Sequence, residues 1–139
     1  MRLGEIVHQL KAGGLKRVYG AQELAALATA PAQLPAQFVI PLGEEASPSR
    51  HQGVHHQAVA TTFGVVTLVS GASRSEDRIA EELAEQRELV EAALAGWQPP
   101  GASRACDYAG GRTVSVSGTT LGWLDSFRTG RQIRKVPVA

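Results

Sequence analysis

Apolar residues recur every three or four positions in two stretches of the chain, which is the spacing of one helix face. In the first stretch, residues 2–12, they are Leu3, Ile6, Val7 and Leu10. In the second, residues 76–95, they are Ile79, Leu83, Val90 and Leu94. Glycine follows each stretch, at positions 13–14 and at Gly96, as it commonly does after a helix. Ser73 and Glu76 predict a capping box before the second helix. A shorter helix is predicted over residues 21–30, which are rich in helix formers and precede Pro31.

Alternation of apolar and polar positions predicts strands between these helices. The clearest strand spans residues 55–70, with one face made of Val59, Thr61, Phe63, Val65, Thr67 and Val69. A second strand is predicted over residues 37–42, and Pro41 places it at a sheet edge because proline lacks an amide hydrogen. A short strand is expected within residues 15–19. Residues 43–54 lack periodicity and contain Gly, Pro and Ser, so we predict a long polar loop there.

The C-terminal third also has the pattern of β-structure. Three strands are predicted over residues 105–108, 113–117 and 121–127, with Gly110, Gly111 and Gly118 as turn residues. Asp125 interrupts the apolar face of the last strand, and the basic tail at residues 128–139 is expected to continue that strand. The whole pattern predicts a single α+β domain over residues 1–139. It consists of a mostly antiparallel sheet with helices packed on one face.

Composition changes this picture by pointing to a small core. Hydrophobic residues make up 43% of the 139, but 21 of them are alanine and only seven residues are aromatic. Such a fold is either modestly stable alone or shares apolar faces with neighbouring copies. The chain has no apolar run long enough for a membrane span and no signal-peptide pattern at its start. A single cysteine, Cys106, allows no internal disulfide and fits a reducing compartment.

Charge is nearly balanced overall, at +1, but it is unevenly distributed. Residues 1–20 carry +3, residues 76–91 carry −5 and residues 104–139 carry +4. The acidic helix and the basic C-terminal third either meet, within a subunit or between subunits, or are solvated faces. The strongest basic run is Arg128, Arg131, Arg134 and Lys135. For this run the alternatives are pairing with acidic groups of a partner subunit, contact with DNA, and plain solvation.

Candidate chemistry is sparse. His51, His55 and His56 cluster, but they lie in a predicted loop and strand start without the HExxH pattern, so an exposed polar loop is the preferred interpretation. Cys106 is interpreted as a small core residue. No phosphate-binding loop, dinucleotide-binding motif or nucleophile elbow is present. The sequence therefore assigns no catalytic, cofactor-binding or metal-binding residue, and we expect a protein that is not an enzyme.

Five segments in order resemble the tail terminator, or tail completion, proteins of long-tailed bacteriophages and prophages. The most distinctive is Gly-Trp-Gln-Pro-Pro at residues 96–100. The segments are residues 18–27 (VYGAQELAAL), 38–42 (FVIPL), 57–69 (containing TFGVV), 93–100 (ALAGWQPP) and 123–129 (WLDSFRT). The resemblance depends on their combination and covers nearly the whole chain.

The resemblance implies a structural virion protein without cofactors. Such a protein caps the tail tube as a hexameric ring, ends tube polymerisation and presents the surface that joins the head. The implied partners are further copies of the chain, the tail tube protein and the neck or head–tail connector proteins. DNA passes through the lumen without specific binding, and no membrane is involved. The implied location is the virion tail, with assembly in the host cytoplasm.

Other functions remain open on the sequence alone. They are another neck or head–tail joining protein, a small cytoplasmic enzyme using Cys106 or the histidines, and a nucleic-acid-binding module. We also expect Trp97 to pack over the end of the long helix as a structural anchor.

Overall fold

The computed structural model describes residues 2–26, 33–50, 53–71, 74–117 and 119–135. Over these residues the chain forms three helices and five strands. In chain order they are α1 (Leu3–Ala12), β1 (Val18–Tyr19), α2 (Ala21–Ala26), β2 (Ala36–Ala46), β3 (His55–Ser70), α3 (Glu76–Leu94), β4 (Arg104–Ser117) and β5 (Thr120–Lys135). The predicted helix over residues 21–30 is present as α2, and residues 27–30 lie outside the described part.

The strands form one sheet in the order β1-β2-β3-β5-β4. Among the strands that the structure describes, β1 and β2 pair in parallel over a short contact, and the other neighbouring pairs are antiparallel. The pairing of β3 with β5 is the longest, running without a register shift from His55 opposite Lys135 to Ser70 opposite Thr120. The predicted α+β class with a mostly antiparallel sheet is confirmed.

The two long helices cover one face of this sheet. Helices α1 and α3 contribute Ile6, Leu10 and Leu94 to the main core, which they share with the stacked rings of Phe63 and Phe127. The opposite face carries a smaller apolar cluster, formed by Ala36, Phe38, Val66, Leu68 and Leu124. Leu24 of the short helix α2 packs against that smaller cluster. The sheet therefore lies between a large core and a small one, and the predicted packing of the helices on one face holds for α1 and α3 but not for α2.

Helix α3 ends as predicted from the sequence but begins differently. Gly96 has a φ of +82°, the left-handed conformation predicted after this helix. The predicted capping box of Ser73 and Glu76 is wrong, since the helix begins at Glu76 and its N-cap is Ser75. The Ser75 hydroxyl accepts a hydrogen bond from the Arg78 amide at 3.3 Å. Ser73 itself lies outside the described residues.

The long loop predicted over residues 43–54 is also wrong in its first part. Strand β2 continues to Ala46, because residues 43–46 pair with residues 59–62 of β3. A register shift between Pro41, opposite Phe63, and Gly43, opposite Thr62, leaves Leu42 without a paired residue in β3. Strand β1 pairs only with Gln37 and Phe38, so within the described chain Pro41 has no strand on its outer side. The predicted edge position is therefore confirmed around Pro41, whereas the start of the same strand is covered by β1.

The predicted turn at Gly110 and Gly111 is wrong. The two strands expected over residues 105–108 and 113–117 are parts of one strand, β4. A register shift between Tyr108 and Gly110 marks a bulge, and Gly110 there has a φ of +127°. The glycines therefore bend a strand instead of reversing it. Gly118 lies outside the described residues, as do residues 136–139 beyond the end of β5.

Within the part of the chain that the structure describes, no helix has the length and apolar character needed to cross a membrane.

Candidate assembly surfaces

A buried ion pair fastens α3 to the C-terminal strands. Asp125 lies in the middle of β5 with its side chain fully buried. Its carboxylate accepts hydrogen bonds from Arg87 Nη2 at 3.0 Å, Tyr108 Oη at 3.0 Å and Trp123 Nε1 at 2.9 Å. The Arg87 guanidinium also lies over the Trp123 ring, 4.3 Å from its centre. A buried carboxylate is tolerated only where donors satisfy it, so this cluster fixes α3 above β4 and β5.

The protonation of the donors supports the same arrangement. The hydrogen bond that Arg87 donates to Asp125 raises the pKa of Arg87 above its usual value, so the guanidinium stays charged. Burial, followed by the hydrogen bond to Asp125, raises the pKa of Tyr108, so its hydroxyl keeps its proton at neutral pH. Sequence reasoning noted Asp125 only as an interruption of an apolar face. An acidic residue there requires a buried donor, but the sequence did not identify Arg87 as that donor.

Gly111 is necessary because this cluster approaches the backbone closely. A Cβ atom at position 111 would lie 2.6 Å from the hydroxyl of Tyr108 and 2.7 Å from Nε1 of Trp123. Real Cβ contacts are longer than this, so any side chain here displaces the donors of Asp125. The glycine pair in β4 therefore has two local roles, the bulge at Gly110 and the close approach at Gly111.

An open apolar groove lies beside the ion pair, between α3 and the adjoining ends of β4 and β5. The volume of this groove is about 610 Å³. Its apolar walls are formed by Ile79, Leu83, Val114, Leu121 and Trp123, and Arg87 lies at one end. The groove is one place where the fold leaves apolar side chains accessible, and the sharing of such surfaces between copies remains a prediction.

The outer surface of α3 is acidic. Some of its charges are neutralised locally, by the ion pairs Arg74–Glu82, Arg78–Glu81 at 3.7 Å and Arg87–Glu91 at 3.8 Å. Four exposed acids form no ion pair with any residue in the described ranges; these are Glu76, Asp77, Glu85 and Glu88. Among the described residues, the basic end of β5 makes no ion pair with this helix. The two charged regions thus remain separate within the subunit.

The basic run at the end of β5 is divided between the two faces of the sheet. Arg131 binds Glu44 of β2 through two hydrogen bonds, from Nε at 2.8 Å and from Nη2 at 3.0 Å. The bond from Arg131, together with one from Thr61, lowers the pKa of Glu44 to about 2. Arg128 and Arg134 are exposed on the opposite face, as the alternation of the strand predicted.

Of the residues considered for catalysis or metal binding, those that the structure describes do not form a common site. His55 and His56 begin β3, with His55 Nε2 2.7 Å from Oε1 of Gln57, and His51 lies outside the described residues. No group of three metal-ligating side chains occurs among the residues that the structure describes. Cys106 is fully buried in the main core, as predicted. Burial raises the pKa of its thiol to about 11, so the thiolate is scarce at neutral pH.

Two edges of the sheet carry unpaired backbone groups. Strand β4 pairs with β5 on one side, and over the described chain no strand lies on its other side. Strand β2 has β1 beside it only at Gln37 and Phe38, which leaves residues 40–46 without an outer neighbour in the described chain. Such edges are the usual sites at which another chain pairs with a sheet.

Comparison with known proteins gives one family. The family model described as "Phage tail terminator protein" matches residues 2–137 of this chain. No curated protein matches it. Among solved structures, a chain from the "Virion of native gene transfer agent (GTA) particle" is similar, with a TM-score of 0.55 and 15% sequence identity. The match covers 92% of each chain, and at this identity it shows a common fold.

Proposed function

This chain belongs to the phage tail terminator protein family, and we propose that it closes the phage tail tube as a six-membered ring. Members of this family are structural proteins of the phage tail, so the chain is a virion component. The finer proposal is that the ring sits on the last ring of the tube, ends its polymerisation and presents the surface that joins the head. The observation that carries it is the family match over residues 2–137.

The form of the subunit supports assembly into a ring. A ring needs two unlike surfaces on each subunit, because rotational symmetry brings one side of a copy against the other side of the next. Within the described residues the sheet has two different free edges, at β4 and at residues 40–46 of β2. The acidic surface of α3 and the basic end of β5 give the subunit oppositely charged regions as well.

We propose that the contacts of this ring are protein contacts: further copies of the chain, the tail tube protein and the neck or head–tail connector proteins. DNA passes through the lumen without specific binding. A net charge of +1 agrees with a lumen that does not retain DNA, since tight DNA binding depends on many cationic contacts. The role requires no catalysis, cofactor or metal. Assembly would take place in the host cytoplasm.

The test is deletion of the gene from the phage or prophage that encodes it, with tail length measured by electron microscopy. We expect tails of irregular length that do not join heads, and restoration of normal tails by the wild-type gene. Analytical ultracentrifugation of the purified protein should give six times the subunit mass of 14.7 kDa. Tails of normal length that join heads in the deletion strain would contradict the proposed role.

A further inference from the structure

We infer that neighbouring copies join edge to edge, with the outer edge of β4 in one copy pairing with residues 40–46 of β2 in the next. The inference rests on the ring proposed above and specifies the contact between its subunits. We call this pairing the β4–β2 seam.

The first support is that both edges are available and long enough. Strand β4 spans 14 residues and uses one side for β5. Residues 40–46 of β2 bind β3 and have no described strand on the other side. Seven residues of strand extend about 24 Å at roughly 3.4 Å per residue. Each unpaired edge carries backbone donors and acceptors that a neighbouring strand satisfies, except at Pro41, which has an acceptor but no amide hydrogen.

The second support is strand direction. Strand β2 is antiparallel to β3, β3 to β5, and β5 to β4. After three reversals β4 runs opposite to β2. A rotation about an axis along the strands preserves these directions, so β4 of one copy meets β2 of the next in antiparallel orientation. The seam therefore continues the antiparallel pattern of the sheet from copy to copy.

The third support is a pair of opposite charges at the two edges of the sheet, joined by a row of directly paired residues that runs across the four strands. Glu45 of β2 pairs with Ala60 of β3. Ala60 pairs with Gly130 of β5, and Gly130 pairs with Arg104 of β4. Directly paired residues point to the same face of a sheet, so Glu45 and Arg104 lie on one face at the same level, at opposite edges.

Both charges lie on the surface of the subunit. Glu45 and Arg104 are exposed, and neither forms an ion pair with a residue in the described part of the chain. When two copies stand side by side at the same level, Glu45 of one comes opposite Arg104 of the other. Each seam in a closed ring then contains one such pair, which favours this register over its neighbours.

A cysteine pair tests the seam directly. Within one subunit, positions 45 and 104 are three strand spacings apart, about 14 Å, since neighbouring strands lie about 4.8 Å from each other. A disulfide requires Cα atoms within about 7 Å, so a disulfide joining these positions in the double variant Glu45→Cys/Arg104→Cys must link two copies. The native Cys106 is buried and does not compete.

After mild oxidation of the assembled double variant, we expect a ladder of covalent species from dimer to hexamer on a non-reducing gel. Glu45→Cys alone and Arg104→Cys alone should yield nothing beyond a dimer. A two-fold pairing of β4 with β4 would instead give an Arg104→Cys dimer and no ladder. An intact ring of the double variant that gives no ladder would overturn the seam.

Charge reversal gives an independent readout that does not depend on thiol chemistry. Glu45→Arg and Arg104→Glu should each raise the concentration for half-assembly about two- to fivefold per contact, the range for exposed ion pairs. The double reversal should restore wild-type assembly. Lys11→Glu, on the exposed side of α1, is the matched control and should have no effect. Rings insensitive to these changes would overturn the seam alone, whereas a wild-type protein that stays monomeric would overturn both the seam and the proposed ring.

Discussion

Replacement of Arg87 by methionine tests the buried cluster that holds α3 on the sheet. The change leaves the Asp125 carboxylate buried without its cationic partner. Breaking a buried ion pair in this way costs about 3–5 kcal/mol in general. Here the Arg87 side chain is 28% exposed, and Tyr108 and Trp123 still donate to the carboxylate. We therefore expect a loss of about 2–3 kcal/mol, at or below the lower end of that range.

The double variant Arg87→Met/Asp125→Leu tests whether the loss of stability in Arg87→Met comes from the unpaired carboxylate. Removing both charges eliminates the unpaired carboxylate, and leucine restores the apolar alternation of β5. We expect the double variant to be more stable than Arg87→Met alone, because replacing a whole buried pair by apolar residues is often neutral or stabilising. The loss of the acceptor for Trp123 Nε1 keeps the recovery partial.

The assay is urea unfolding followed by far-ultraviolet circular dichroism at one fixed protein concentration, since self-association changes apparent stability. Arg78→Met is the matched control on the same helix. Its ion pair with Glu81 is largely exposed, at 72% and 67%, and its loss should change stability by no more than about 0.5 kcal/mol. An Arg87→Met variant as stable as this control would refute the reasoning, as would a double variant less stable than the single one.

Three further predictions concern separate parts of the fold. Carbon-detected NMR should show Glu44 titrating near pH 2, because Arg131 stabilises its charged form. The stabilising effect of this ionisation is complete above the ordinary glutamate pKa of 4.5 and is lost as pH falls towards 2. Arg131→Ala should raise the pH midpoint of the Glu44 titration, and an unchanged midpoint would contradict the pairing of Arg131 with Glu44. Gly111→Ala should destabilise by about 1–3 kcal/mol in urea unfolding, since its Cβ meets two polar atoms. Gly4→Ala, which meets nothing within 4 Å in a helix, should be neutral or slightly stabilising, and equal effects of the two would contradict this. Trp97→Ala should lower the free energy of unfolding by a few kcal/mol in the same assay, because the ring packs on the main core. A change within experimental error would contradict a stabilising role for Trp97.

The elements that could be predicted from sequence are those whose pattern is strictly periodic. Strand β3 was predicted over the residues it occupies, because its alternation is long and its inner face is apolar. Helices α1 and α3 were predicted for the same reason. The surroundings of Trp97 agree with the anchor that was predicted there. The Trp97 amide donates to the Leu94 carbonyl at 3.1 Å, and the Trp97 carbonyl accepts from the Cys106 amide at 2.8 Å.

The errors occurred where tertiary pairing overrides local composition. Gly43 to Ala46 look like a loop because they are polar, but the opposing strand β3 extends far enough to pair with them. Gly110 and Gly111 look like a turn because glycine pairs are common in turns. In β4, however, Gly110 forms a bulge, and Gly111 leaves room for the side chains of Tyr108 and Trp123. Such pairings and contacts depend on the register of the whole sheet, which a local pattern does not specify.

The candidate surfaces were predictable only in part. The alternation of β5 correctly separated Arg131 from Arg128 and Arg134, because strand geometry fixes which residues share a face. The pairing of Arg131 with Glu44 was not predictable, since the two are 87 positions apart in the chain. The common row of Glu45 and Arg104 likewise becomes visible only once the register of three strand pairs is known.

Cryo-electron microscopy of the head–tail junction, in particles of the phage or prophage that encodes this chain, tests the central claim most directly. The account predicts one ring of six copies of this fold, lying between the last ring of the tail tube and the neck proteins. Density for the chain at the portal or elsewhere in the particle, or a tube that meets the neck without this ring, would contradict it.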